Sequence, residues 1–220
     1  MSSSAHAGAV FFDVDGTLVP GTSSSVFLAG FLGHEDELAR AEDAYASGDL
    51  DNRQVSELDA KGWAGVSEEQ VSGWLDGLPL VSGISETVGW CRRNGLVPVL
   101  ATLAWSPVGS YLTDRFGFHA FSGPCLETSD NRFTGRVARH FDEHDKRDFA
   151  LDQARELGLP PRSCGAVGDS RSDLPLFASV ALSVAFNASA GARAAATVTV
   201  DGGDLRGVLP ALSRLVTATR

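Results

Sequence analysis

Cysteine is scarce: Cys91, Cys125 and Cys164 are the only three in 220 residues, odd in number and far apart. That suits neither a disulfide framework nor a structural zinc site, and the expected setting is a reducing cytoplasm. No stretch reaches the ~18 apolar residues that span a bilayer. The opening, Met1 to Gly8, is Ser- and Ala-rich and has no basic segment before an apolar run, so it is not read as a signal peptide. Positive charge is also short, with 18 Lys and Arg against 28 Asp and Glu and a formal charge of −10. The nearest basic cluster, His144, Lys146 and Arg147, sits among Asp142, Glu143, Asp145 and Asp148. Neither nucleic acid nor an anionic membrane is an expected partner, and an anionic ligand would need local neutralisation. Internal repeats and low-complexity tracts are missing too. With 43% hydrophobic and 21% charged residues, the composition is that of a globular chain long enough for one domain and a modest insertion.

Apolar runs of strand length recur at Ala9–Val14, Leu96–Thr102, Cys164–Gly168, Val180–Phe186 and Thr197–Val200, mostly separated by segments of helical period. This alternation predicts an α/β fold with a buried parallel, Rossmann-like sheet covered by helices on both faces. Ser106-Pro107 reads as a helix start, and Asn94-Gly95 and Gly158 as helix stops. Between about Gly21 and Ser82 the strands cease and helical stretches follow one another: Glu35–Ala46, Asn52–Trp63 and Ser67–Trp74, the last with a Ser67/Gln70 capping box. The expected organisation is a core of residues 1–20 and 84–220 and a small all-helical cap, 21–83, inserted after the first strand. Such an insertion emerges at the carboxyl edge of the sheet, where ligands of parallel sheets bind. Alternation around Ser129-Asp130-Asn131 reads as a β-hairpin.

The densest chemistry is Phe11-Phe12-Asp13-Val14-Asp15-Gly16-Thr17-Leu18. Carboxylates two residues apart at a strand end face one side, and their repulsion calls for a cation or a shared proton; Gly16 permits a tight turn out of the strand. Three further signals follow in order. Thr102 closes the second apolar run, Lys146 opens the helical stretch to Leu157, and Gly168-Asp169-Ser170-Arg171-Ser172-Asp173 ends another strand. Each alone is unremarkable, but one sheet would bring all of them to one edge. His140 and His144 have helical spacing without a third ligand, so zinc is not expected. The tryptophans read as packing residues, with Trp105 close enough to Thr102 to face a ligand.

With these motifs in this order the chain resembles the haloacid dehalogenase superfamily of phosphohydrolases, in particular its phosphoserine-phosphatase-like branch. The resemblance implies a Mg²⁺-dependent phosphatase acting on a small phosphorylated metabolite through an aspartyl-phosphate. Asp13 would be the nucleophile and Asp15 the general acid and then base. Mg²⁺ would rest on the Asp13 and Asp169 carboxylates and the Asp15 carbonyl. Thr102 and the Leu103 amide would hold phosphate oxygens, and Lys146, oriented by Asp173, would neutralise charge. Asp15 favours phosphoryl transfer over dehalogenation, which has no leaving oxygen to protonate. Two other readings share the motifs: a phosphotransferase with an alcohol acceptor, and a receiver-like phospho-aspartate switch. The helical insertion and Asp15 stand against the second.

The chain departs from that branch in places. Thr22 occupies the position of a glutamate that pairs with the substrate ammonium in phosphoserine phosphatases, and a hydroxyl cannot replace that pair. Arg53 resembles the cap arginine that grips the substrate carboxylate. Leu103 and Ala104 replace a glycine-rich stretch, and Ser172 an asparagine. The resulting expectation is a phosphate monoester other than phosphoserine, including one without an amine. Oligomeric state is not legible.

Overall fold

Five short apolar strands build a parallel sheet in the order β2-β1-β5-β6-β7: β1 (Gly8–Phe12), β2 (Leu96–Leu100), β5 (Cys164–Gly168), β6 (Leu182–Phe186) and β7 (Val198–Val200). The structure is a computed structural model describing residues 6–217; most of the opening segment and the outermost ends of the expected core lie outside the described residues. Side chains alternate across β1: Val10 and Phe12 join one buried cluster, Ala9 and Phe11 the other. Both faces are therefore dry, which is why these strands read as continuous apolar runs. Helices α5 (Ile84–Arg93), α6 (Ser106–Phe116), α7 (Glu143–Glu156), α8 (Leu174–Phe177), α9 (Ala190–Ala195) and α10 (Leu209–Thr217) complete the α/β layers.

Between β1 and α5 the chain inserts four helices: α1 (Ser24–Leu32), α2 (Glu35–Ser47), α3 (Asn52–Gly62) and α4 (Glu68–Leu75). Capping boxes start α3, through Asp51 and Gln54, and α4, through Ser67 and Gln70. The outgoing and returning passages touch, since the Val81 N–H donates to the Leu18 carbonyl at 2.9 Å. A hairpin, β3 (Cys125–Ser129) with β4 (Arg132–Arg139), turns through Asp130 and Asn131 at φ of 51° and 59°. It docks on the insertion: Gly65 N–H donates to Phe133 O at 2.8 Å, Phe133 N–H to Val66 O at 2.9 Å, and the Trp63 and Phe133 rings meet edge to face.

Two expected helix starts shift. Ser106 is the first residue of α6 and Trp105 its cap. Helix α7 begins at Glu143, three residues before Lys146, because Asp142 accepts from His144 and Asp145 N–H and Asp145 accepts from Asp142 N–H. That places Lys146 inside the helix with its side chain fully buried.

Candidate active site

Strand β1 ends where its backbone leaves the sheet, delivering Asp13, 4% exposed, to the floor of a cavity of about 360 Å³. Asp13 Oδ1 accepts from Val14 N–H at 2.8 Å and lies 3.0 Å from Lys146 Nζ, leaving Oδ2 uncommitted. Lys146 also reaches Asp173 Oδ1 at 2.6 Å. Burial opposes the lysine charge, yet Asp13 and Asp173 outweigh it and hold its pKa above the usual lysine range. The other Asp173 oxygen accepts from Asp169 N–H at 2.9 Å and Ser170 N–H at 3.1 Å, which fixes the loop after β5.

Asp169 faces Asp13 across the floor, with Thr17 Oγ1 donating to its Oδ1 at 3.1 Å. Burial and the Asp173 charge push the Asp13 carboxyl up to about 7, and burial with Asp13 pushes Asp169 up to about 8. Oxygens of Asp13, Asp169 and Asp173 all lie within 4.8 Å of one another. Carboxylates this close lose the cost of ionisation only beside a cation, and Lys146 alone does not supply enough charge. Gly16, at φ +81°, makes the approach possible: a Cβ there would lie 2.2 Å from Asp169 Oδ2. The donor set is all oxygen, so the residues fit a hard divalent cation.

Asp15 turns to the insertion, where Ser24 N–H at the start of α1 donates to its Oδ1 at 2.6 Å. Burial raises its pKa, against the pull of that N–H. Opposite, Ser122 Oγ accepts from Thr102 N–H at 2.9 Å, and Thr102 Oγ1 accepts from Ala104 N–H at 3.0 Å. The Thr102 hydroxyl proton has no acceptor among the described residues. Leu103, Trp105 and Thr22 also line the cavity.

The structure thus brings Asp13, Asp15, Gly16, Thr102, Leu103, Lys146, Asp169 and Asp173 together and leaves Arg53 out. The capping box at Asp51 sets the phase of α3 so that Asn52, Val55, Ser56 and Asp59 face the cavity. Arg53 lies on the solvent side, pairing with Glu57 at 3.6 Å, outside the residues that line the cavity. Motif reasoning from the sequence also passes over three cavity residues. Glu42 accepts from Ser23 Oγ at 2.7 Å, and burial pushes its carboxyl up to about 8. Asp59 accepts from Trp63 Nε1 at 3.2 Å and Trp105 Nε1 at 2.6 Å and lies 2.7 Å from His34 Nε2. Arg171 reaches from the β5 loop to α2. A signal for Glu42 exists, since it shares a helix face with Leu38, Ala41 and Tyr45, an apolar stripe on which a carboxylate is out of place.

Fold and site define an α/β protein with an acidic, lysine-bearing centre at the carboxyl edge of its sheet, beneath a helical insertion. The haloacid dehalogenase-like hydrolase family model matches residues 10–178. The chain belongs to that family. It is similar to phosphoserine phosphatases of Polaromonas sp., at 28% identity over 89% of this chain and 86% of that protein, and of Albidiferax ferrireducens, at 27% over 89% and 85%. In fold it is similar to a phosphoserine phosphatase solved with a phospho-aspartyl intermediate analogue, with a TM-score of 0.83 and 22% identity over 92% of this chain and 97% of that one.

Proposed function

We propose that the chain is a Mg²⁺-dependent phosphoric monoester hydrolase that works through an aspartyl-phosphate on Asp13, with residues 21–83 as cap and 1–20 and 84–220 as core. The observation that carries this reading is the pairing of Asp13, anchored through one oxygen by Lys146 and Val14, with the separately held Asp15. Names of the relatives and the fold neighbour support it.

In the first half-reaction Asp13 Oδ2 forms a bond to phosphorus while the ester P–O bond breaks, and Asp15 gives its proton to the departing oxygen. In the second, Asp15 takes a proton from water as the water oxygen bonds to phosphorus and the Asp13–phosphorus bond breaks, releasing inorganic phosphate. Burial keeps Asp15 able to carry that proton, and Ser24 N–H holds it still. Thr102 Oγ–H and the Leu103 amide orient phosphate oxygens, and Lys146 offsets charge on the nucleophile and phosphoryl group. A Mg²⁺ held by Asp13, Asp169 and the Asp15 carbonyl would neutralise phosphate charge. The cap excludes bulk water, and a cavity near 360 Å³ suits a small ester. Among the described residues no helix is long and apolar enough to cross a membrane, and the three cysteines are free thiols, which suits a cytoplasmic enzyme.

The test is phosphate release from a panel of small esters, p-nitrophenyl phosphate included, with Mg²⁺ and with Asp13→Asn alongside. Release by the wild type and none by Asp13→Asn is expected. Wild-type protein that releases no phosphate, or equal release by the variant, overturns the reading. Added alcohols separate transfer from hydrolysis, and free phosphate is expected to remain the main product.

A further inference from the structure

The cavity wall is acidic well beyond what phosphate chemistry uses. Asp13, Asp15 and Asp169 form its floor, while Glu42 and Asp59 stand on the cap side, and Arg171 is the only cation among the residues lining it. Arg171 is already engaged: it donates to Tyr45 O at 2.6 Å, stacks over the Tyr45 ring and lies 3.4 Å from Glu143 Oε1. The two cap carboxylates differ in their partners. Asp59 is satisfied by two indole N–H groups and His34. Glu42 has one, the Ser23 hydroxyl, and no lysine, arginine or histidine pairs with it among the described residues. The charges that bear on it most, Asp15, Asp59 and Asp43, share its sign. A half-buried carboxylate kept among like charges without a counterion is costly unless a ligand brings one.

We infer that Glu42 is a specificity-determining residue that reads a cationic group on the substrate, so that the preferred esters are phosphates of amino alcohols rather than of neutral or carboxylate-bearing alcohols. This rests on the phosphatase reading and narrows it. Phosphate goes to the floor, against Lys146 and Thr102, and the ammonium to the cap wall at Glu42. A substrate carboxylate would meet Glu42 and Asp59 with no free cation to receive it. The carboxylate that Thr22 does not supply comes instead from α2, and the expectation of an amine-free ester is revised accordingly.

The experiment compares kcat/KM for three esters of matched size with Mg²⁺: O-phosphoethanolamine, its neutral isostere propyl phosphate, and phosphoglycolate. The wild type is expected to favour O-phosphoethanolamine over propyl phosphate at least ~10-fold and to disfavour phosphoglycolate. In Glu42→Gln, which keeps shape and removes charge, the ratio of the first two falls to near unity, the scale of losing one member of a close charge pair. Glu42→Lys reverses the order in favour of phosphoglycolate. Equal use of the first two by wild type, or a ratio that Glu42→Gln leaves intact, overturns the inference while leaving the phosphatase reading standing. Failure to release phosphate from any ester, p-nitrophenyl phosphate included, overturns both.

Discussion

The guanidinium carbon of Arg171 lies 4.4 Å from the centroid of the Tyr45 ring, and its Nη1 donates to the Tyr45 carbonyl at 2.6 Å. One residue of the motif loop thus clasps the second helix of the insertion, joining the loop that carries Asp169 to the wall that carries Glu42. A stacked, hydrogen-bonded arginine is worth about 1–2 kcal/mol. Arg171→Ala is expected to raise KM by about tenfold through a less populated closed cap. Arg171→Lys should not restore it, because an ammonium lacks the planar fork. Steady-state kinetics on the best ester checks this, and an unchanged KM in both variants counts against the clasp.

Lys146 has no exposure and stands between Asp13 and Asp173. Removing the cation leaves those carboxylates facing each other and Asp169, and breaking a buried pair in this way costs about 3–5 kcal/mol. Lys146→Met is therefore expected to lose that much in urea denaturation as well as turnover. Adding Asp173→Asn should recover part of the stability and none of the activity, a double-mutant comparison that separates electrostatic repulsion from lost packing.

The raised pKa values of Asp13 and Asp169 describe a floor that resists ionising without a cation. Mg²⁺ binding should therefore stabilise the fold by mass action, by about 2.7 kcal/mol at a hundred times Kd. The melting temperature is expected to climb with Mg²⁺ concentration in wild type and to stay flat in Asp169→Asn. Chelation should abolish turnover reversibly.

His34 joins α2 to α3 through Asp59, and that hydrogen bond raises its pKa above the ordinary imidazole value of 6.5. A basic group with a raised folded-state pKa contributes stability in full below its unfolded value and loses it as pH rises through the folded one. The melting temperature is expected to decline from pH 6.5 upward in wild type, and His34→Gln should make that decline shallower, the raised carboxyls of Asp13, Asp169 and Glu42 supplying the rest. A profile unaltered by the substitution would place the transition on another group.

Much of the sheet was legible because a strand buried on both faces must be apolar throughout, as Cys164–Gly168 and Leu182–Phe186 are. Strand ends were harder. Val14 and Thr102 continue the apolar pattern but leave the ladder to aim their neighbours into the cavity. The start of α7 was hidden because Asp142 and Asp145, which cap it, look like ordinary surface charge until their reciprocal bonds are seen. Asp13, Asp15 and Asp169 were readable from spacing, since strand geometry and one shared edge suffice to gather them. Arg53 and Glu42 were not, because a helix residue's role depends on phase and on what lies opposite. For Arg53 the phase is set by Asp51 and Gln54; for Glu42 the opposite wall comes from Ser23 and the β1 loop. Likewise, local alternation foretells the hairpin but not its docking on Gly65 and Val66, a contact made across distant segments.

The bond from Val81 to Leu18 ties together the two chain passages that connect the helical insertion to the sheet. Joined there, the insertion would have its softest displacement in rotation about an axis through that bond, as a door swings on its jamb, once the hold of Arg171 on Tyr45 and the hairpin contacts at Gly65 and Val66 yield. Residues far from that axis travel furthest for a given angle, and those beside it barely move. Asp15 precedes that pivot by three residues in the chain and takes its amide donor from Ser24, just beyond the outgoing passage. In the proposed reaction Asp15 would therefore stay seated while the outer wall swings to admit one molecule and discharge another.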